Sequence, residues 1–256
     1  MRISKLILWE CIEEMKKIPD KSIDAIITDP PYWTTACKWD SVIPFEPMWA
    51  ELKRIIKPNG AIVLFGSEPF SSALRMSNIN NYKYDWIWNK VWVTNPMMAK
   101  KQPMRCSESI LVFYDKQCTY NPQMRIWKKW SRGWKKEHST WTLWESILIN
   151  NWSDVSELKY PKNIIEFSNA DRTKNIHPTQ KPVALMEYLI KTYTNEWETV
   201  LDFTAWSFTT AVACENTNRK WIWIEMSEEY CKIWKERIIK NRIEKWFDLL
   251  DFTSNI

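Results

Sequence analysis

Glycine is nearly absent from this chain: 3 residues in 256, where ordinary usage of about 7% would give about 18. That scarcity bears on every tight turn, because glycine is the residue that takes a positive φ without strain. Histidine is equally thin, with His138 and His177 alone, and the six cysteines at 11, 37, 106, 118, 214 and 231 form no CxxC pair. A metal site is therefore not expected. No apolar run approaches the roughly 18 residues of a membrane span. Residues Met1 to Leu8 lack both a long apolar stretch and a small-residue cleavage site, so membrane enzymes are excluded and a cytoplasmic protein is expected. What remains, 45% hydrophobic and 26% charged residues, is the composition of a globular protein, and the length suits one elaborated domain. The residue in excess is tryptophan, with 19 copies.

Three blocks carry chemistry. Ile23 to Thr28 is a short run rich in β-branched residues that two prolines stop at once, which predicts a buried strand ending in a rigid turn. The turn is Asp29-Pro30-Pro31-Tyr32, and in open α/β sheets the ligand crevice lies beyond such strand ends. Far downstream, Glu198 to Asp202 followed by Phe203-Thr204-Ala205-Trp206-Ser207-Phe208-Thr209 reads as strand, tight turn and capped helix start. The next strand, Lys220 to Glu225, ends in an acid about 20 positions on, where a ribose hydroxyl is commonly bound. Between them, Ile176-His177-Pro178-Thr179-Gln180-Lys181-Pro182 precedes an amphipathic run from Val183 to Tyr193, a helix entry with a cation ahead of it. Taken singly, each has an ordinary reading: a proline turn with a capping Asp, a plain βαβ unit, a capped helix.

Together, in this order, the blocks closely resemble the β-class amino-methyltransferases of DNA, over nearly the whole chain. The resemblance implies a Rossmann-like α/β methyltransferase fold: a mostly parallel twisted sheet with helices on both faces, circularly permuted motif order and an inserted target-recognition region. It implies S-adenosylmethionine as cofactor and double-stranded DNA as substrate. An Asp before Pro-Pro-Tyr resembles the adenine-N6 enzymes, whereas Ser there is similar to the cytosine-N4 enzymes. By the same resemblance Asp29, Pro30, Pro31 and Tyr32 are catalytic, with Asp29 and the Pro30 carbonyl accepting the amine hydrogens and Tyr32 stacking on the extruded base. The cofactor set is Glu10, Cys11, His177, Thr179, Lys181, Asp202, Phe203, Thr204, Trp206, Ser207, Thr209 and Glu225. Within it, Asp202 and the turn through Ser207 hold the methionine part, Thr179 and Lys181 its carboxylate, and Glu225 the ribose. A homodimer and a cognate restriction endonuclease are further partners that the family would admit. Two other readings stay open: a catalytically inactive DNA-binding relic and cytosine-N4 methylation. A protein-glutamine methyltransferase is disfavoured because its cofactor loop precedes the Asn-Pro-Pro-Tyr motif.

The layout adds a helix from Phe45 to Lys57, a stop at Asn59-Gly60, a strand from Ala61 to Phe65, further strands at 84–89, 109–114 and 163–168, and a last helix from about Ser227 to Lys245. From Lys83 to Trp141 there are twelve Lys and Arg against four Asp and Glu, a local excess larger than the whole chain's +5. This suits phosphate contact. The inserted recognition region is placed at 116–162, with a DNA-contacting loop around 90–106 and Lys128, Lys129, Arg132, Lys135 and Lys136 as DNA-binding residues.

Several tryptophans stand where the resemblance expects glycine: Trp9, Trp33, Trp197, Trp206 and Trp223. Trp49, Trp86, Trp88 and Trp39 do not, and Trp127, Trp144, Trp152 and Trp234 are undecided. Either the protein is naturally tryptophan-rich or some of these positions are glycine codons written as tryptophan.

Overall fold

The computed structural model describes residues 5–8, 10–32, 42–94, 96–126, 158–169, 180–206, 208–227, 231, 238–239 and 242–243. The chain divides into two units, one of residues 1–121 with 163–256 and one of residues 122–162.

In the larger unit the apolar run after residue 22 is strand β2 (Ile23–Thr28), buried at all six positions, as a central parallel strand requires. It lies between β3 (Ile56–Gly66) and β9 (Thr199–Asp202), parallel to both. Beyond β9 come β10 (Lys220–Glu225) and β1 (Lys5–Leu8), again parallel. Beyond β3 come β5 (Arg105–Phe113), β4 (Tyr82–Thr94) and β8 (Ile164–Glu166), giving the order β1-β10-β9-β2-β3-β5-β4-β8. Only β5 runs against the rest.

Residue alternation along the strands builds one core on each face. Ala25, Ile27, Val63, Phe65, Ile110 and Val112 point to a core that includes Leu185, Met186, Leu189 and Ile190 of α4 (Val183–Tyr193) and Ala211 to Cys214 of α5 (Thr209–Asn216). Ile26, Ile62, Leu64, Leu111 and Phe113 point the other way. There they meet Met15 of α1 (Cys11–Met15), Met48, Trp49, Leu52 and Ile55 of α2 (Phe45–Ile55), and Phe70 and Leu74 of α3 (Phe70–Ser77). Helices thus cover both faces, and none among the described residues is long and apolar enough to cross a membrane.

Some boundaries differ from the sequence expectation. The helix expected to reach Lys57 stops at Ile55, and the strand starts at once at Ile56, because Pro58 disfavours helical geometry at residue 57 and cannot donate to a helix itself. Helices α1 and α3 were not anticipated. Strands β4 and β5 extend beyond the expected 84–89 and 109–114, and β8 is shorter than 163–168. The expected last helix falls mostly outside the described residues. In the smaller unit β6 (Arg125–Ile126) pairs antiparallel with β7 (Leu158–Lys159).

Helix α4 is tied to β4 through one hydroxyl. Tyr193, fully buried, accepts from the Trp86 indole N–H at 2.6 Å and pairs with the Tyr84 hydroxyl at 3.0 Å. Tyr193→Phe keeps the ring and strands the Trp86 donor, so the unfolding free energy in denaturant should fall by about 1–3 kcal/mol. An unchanged value would mean that this hydroxyl does not bind the two elements.

Candidate active site

Because β1, β10, β9 and β2 are adjacent and parallel, their carboxyl ends share one edge, and each carries an acid there. Glu10 follows β1, Glu225 ends β10, Asp202 ends β9 and Asp29 follows β2. Ligands of open α/β sheets bind along this edge. The one reversed strand contributes too: β5 places its amino-terminal half beside the carboxyl end of β3, with Ser109 opposite Gly66, so Glu108 arrives at the same edge.

The partly buried Asp29 and Tyr32 form one cluster with the buried Glu108 and Lys181. The Lys181 ammonium lies 2.8 Å from Asp29 Oδ2 and 3.1 Å from Glu108 Oε1, and Lys90 pairs with Glu108 Oε2 at 2.8 Å. The Tyr32 hydroxyl bonds to Asp29 Oδ1 and to Glu108 Oε1, the latter at 2.9 Å. Two acids and two cations leave no net charge, which is what allows the group to be buried. Burial pushes the Asp29 carboxyl up, against the pull of Lys181. Burial would raise Glu108 as well, but Lys181 and Lys90 outweigh it and hold that carboxyl at about 2. Lys181 is also boxed by rings, 5.0 Å from the centre of Phe65 and 5.8 Å from that of Tyr32, so its charge is stabilised on every side. Tyr32 itself rests on Phe70, with ring centres 5.1 Å apart, and Pro30 and Pro31 are buried beneath the turn.

One strand away, Asp202 is buried and fully engaged. Thr28 Oγ1 donates to its Oδ1 at 3.1 Å, the Thr204 amide to Oδ1 at 3.2 Å, and Thr210 Oγ1 to Oδ2 at 2.6 Å. Burial nonetheless pushes this carboxyl up to about 7. The Phe203 amide donates to Thr28 Oγ1 at 3.1 Å and Thr204 Oγ1 to the Asp29 carbonyl at 3.0 Å, so the two turns are stitched together. A cavity of about 20 Å³ lies between them, lined by Asp29, Lys181, Asp202, Thr204, Trp206, Thr209 and others. That is room for about one water. The Trp206 indole lines it and donates its N–H to the Asp29 carbonyl at 2.7 Å.

The other expected site residues fall as follows. Glu10 caps α1, accepting from the amides of Ile12 and Glu13 at 3.3 and 3.0 Å, and Cys11 begins that helix with its thiol pushed up to about 12 by burial. Glu225 accepts from the amides of Met226 and Ser227 at 2.9 and 2.8 Å, and burial raises its carboxyl. Thr209 is buried at the start of α5. Lys181, expected at a cofactor carboxylate, sits on Asp29. His177, Thr179, Ser207, Trp9, Trp33, Lys128, Lys129, Arg132, Lys135 and Lys136 lie outside the described residues. Sequence reasoning missed Glu108 and Lys90. A signal existed: Glu108 is in phase with Ile110 and Val112, an acid on the inward face of a strand, and Lys90 is in phase with Trp86 and Trp88. Among the described residues no group of three or more His, Cys, Asp or Glu is placed to hold a metal ion.

Comparison with known proteins gives the following. A family model described as DNA methylase matches residues 23–236. The chain is 29% identical over 253 residues to the type II methyltransferase M.HpaI of Haemophilus parainfluenzae, spanning 91% of this chain and 74% of that one. It is 30% identical over 256 residues to the DNA adenine methyltransferase YhdJ of Escherichia coli K12, spanning 91% and 82%. A solved structure of M1.HpyAVI with SAM superposes with a TM-score of 0.63 at 25% identity over 92% of this chain and 99% of that one. The cytosine-N4-specific PvuII DNA methyltransferase superposes with a TM-score of 0.61 at 17% identity, over 89% and 83%, a likeness of fold alone. The architecture is thus the Rossmann-like methyltransferase fold.

Asp202 gives a pH prediction. Its carboxyl moves from 3.8 to about 7 on folding, so the folded state favours the protonated form. This contribution is fully present below about pH 3.8 and is lost as the pH rises to about 7. Asp202→Asn should flatten that part of the pH–stability curve in ligand-free protein. A variant curve parallel to the parent's would show that Asp202 is not the titrating group.

Proposed function

Because the chain belongs to the DNA methylase family, we propose that it transfers a methyl group from S-adenosylmethionine to the N6 amine of adenine at specific sites in DNA, with the base flipped out of the duplex. The observation that carries this reading is Asp29: a partly buried carboxylate in an Asp-Pro-Pro-Tyr turn, just past the strand next to that of Asp202 and tied to its turn by Thr204. Asp rather than Ser before Pro-Pro-Tyr supports adenine over cytosine, and YhdJ, a relative named for adenine methylation, supports it further.

The adenine amine is a poor nucleophile because its lone pair is delocalised into the ring. Asp29 and the Pro30 carbonyl, as acceptors for the two N6 hydrogens, localise that pair and stabilise the positive charge that grows on nitrogen. One Asp29 oxygen is now held by Tyr32 and the other by Lys181. The incoming amine takes the place of the Tyr32 hydroxyl, which frees the ring to stack on the base. Lys181 stays on the second oxygen and favours the ionised, accepting form of Asp29. The prolines fix the turn at the reacting geometry.

The cofactor's sulfonium supplies the methyl electrophile. The donor chemistry along the edge suits it: Glu225 would take the ribose hydroxyls, and Asp202 with the turn after it the methionine part. The space does not suit it, since the cavity, at about 20 Å³, is closed on one side by Trp206, whose indole is bonded to the Asp29 carbonyl. Residues 116–162 are proposed as the target-recognition region, with Lys128, Lys129, Arg132, Lys135 and Lys136 and the loop around 90–106 on DNA. A second copy of the chain and a cognate restriction endonuclease belong to the same proposal, on the family resemblance alone.

The test is methyl transfer from labelled S-adenosylmethionine to mixed-sequence DNA. It uses both the chain as written and a version with glycine at 9, 33, 197, 206 and 223, with the product nucleoside identified. N6-methyladenine is expected. N4-methylcytosine, or no product from either version, overturns the reading. In the active version Asp29→Ala should lower turnover by about 10² or more with cofactor affinity nearly intact. Equal loss of cofactor affinity would remove Asp29 from this role. Replacing Lys128, Lys129, Arg132, Lys135 and Lys136 by Gln should weaken binding to all DNA sequences and flatten the slope of log K against log salt by up to about 0.9 per lost contact. An unchanged slope would make the run a solvated face.

A further inference from the structure

Six of the described tryptophans fall into two structural groups. Trp49, Trp86 and Trp88 sit in regular helix or strand, buried to 5% exposure or less. Each indole N–H has a built partner: Ser77 Oγ at 2.8 Å, the Tyr193 hydroxyl at 2.6 Å and the Phe167 carbonyl at 2.8 Å, respectively. These positions are shaped for an indole.

Trp197, Trp206 and Trp223 are different. Trp197 has a φ of 69°, in the left-handed region that a bulky L residue occupies only under strain and glycine takes freely. The conformation is imposed by backbone pairing, with the Trp197 amide donating to the Asn218 carbonyl at 2.8 Å. The Trp197 side chain is 53% exposed. Trp206 lines the cavity of about 20 Å³ between the Asp29 and Asp202 turns, and its indole N–H reaches across to the Asp29 carbonyl at 2.7 Å. Trp223 lies mid-strand in β10, stacked on Trp221 with ring centres 3.9 Å apart and 5.3 Å from the ring of Phe208. One position calls for glycine by backbone angle and one by ligand space, in a chain with 3 glycines and 19 tryptophans; position 223 joins them by the sequence resemblance.

We infer that Trp197, Trp206 and Trp223 are encoded by UGA and that the source organism reads UGA as glycine, so the protein it makes carries glycine there, as at positions 9 and 33. A single decoding rule accounts for the missing glycine, the surplus tryptophan and their coincidence at these sites. Lys21, Val91 and Phe208 also have left-handed φ values, 50°, 66° and 55°, but none of them is written for UGA, so the angle supports recoding at Trp197 only together with its codon. With glycine at 206 the Asp29 carbonyl keeps its bond from Thr204 Oγ1 and loses the one from the indole, and the crevice opens along the edge that holds Asp202. The inference deepens the proposed function by supplying its cofactor space, but it rests on backbone angle and crevice space, and its test does not depend on methyl transfer.

The codons decide first. UGA is expected at 197, 206 and 223, and UGG at 49, 86 and 88. UGG at 197 or at 206, or UGA at 49, 86 and 88 alike, overturns the inference. The protein from source cells decides independently. Its tryptic peptide Thr192 to Arg219 contains both Trp197 and Trp206, and its mass should be lower by two tryptophan-to-glycine differences. A mass matching the written sequence overturns it. Two recombinant chains, as written and with glycine at 9, 33, 197, 206 and 223, then test the steric claim by calorimetric titration with S-adenosylmethionine. Binding by the glycine chain and its loss in the written chain are expected, and equal affinity overturns the assignment of 206 as a ligand-facing glycine. UGA codons together with an inactive glycine chain would sink the proposed reaction and leave this inference standing.

Discussion

The site depends on holding two carboxylates against shared cations at the carboxyl edge of the sheet. Glu108 is buried and Asp29 partly so, and an unpaired acid there would simply take up a proton. Lys181 between them and Lys90 behind Glu108 make the burial tolerable, and each arrives by a different route. Asp29 comes from the end of β2, Glu108 from the start of the one reversed strand, Lys90 from its neighbour β4, and Lys181 from the residue just before Pro182 and α4. The reversal of β5 therefore has a chemical consequence. Were β5 parallel to β3, its amino-terminal half would lie at the opposite edge and Lys181 would face Asp29 with no second acid to fix its position.

Much of the fold was legible because its signals are local. A β-branched run stopped by two prolines gave β2, and apolar spacing between Val183 and Tyr193 gave α4 to the residue. Acids at strand ends gave the edge. What escaped was non-local. Glu108 looks like an ordinary charge in Cys106-Ser107-Glu108-Ser109, and only the pairing of β5 with β3 and β4 brings it to Tyr32 and Lys181. Lys181 was expected near a cofactor carboxylate because it precedes a helix start. Its distance to Asp29 is set by tertiary packing, of which sequence spacing contains nothing. Helix α1 was hidden because five residues show too little periodicity, although Glu10, expected at the cofactor, is visible in the structure as its cap.

The two halves of the site are set by adjacent strands, and this fixes their separation more firmly than any side chain could. Neighbouring strands lie about 4.8 Å apart, so the turns after β2 and β9 start within one strand spacing of each other. Thr28 and Thr204 then cross-link them, one hydroxyl reaching Asp202 and the other the Asp29 carbonyl. Methyl transfer needs donor and acceptor held in line at near-contact distance, and a pair of turns joined at their roots supplies this without an adjustable hinge.

The same closeness makes the edge intolerant of bulk. Two turns one strand apart leave a crevice whose width is set by the backbone, so a side chain in it has nowhere to go except across to the opposite turn, which is where the Trp206 indole finds the Asp29 carbonyl. Position 206 is thus constrained from both sides: the stitching that aligns the reacting groups also denies the turn any room to move aside. Residues further along the sheet are not so bound. Trp86 and Trp88 lie within a core that α4 covers from a distance set by side chains, and there an indole with a partner for its N–H is accommodated. Whether a large ring fits in this protein is decided by what sets the spacing around it, backbone pairing at the edge and side-chain packing in the core.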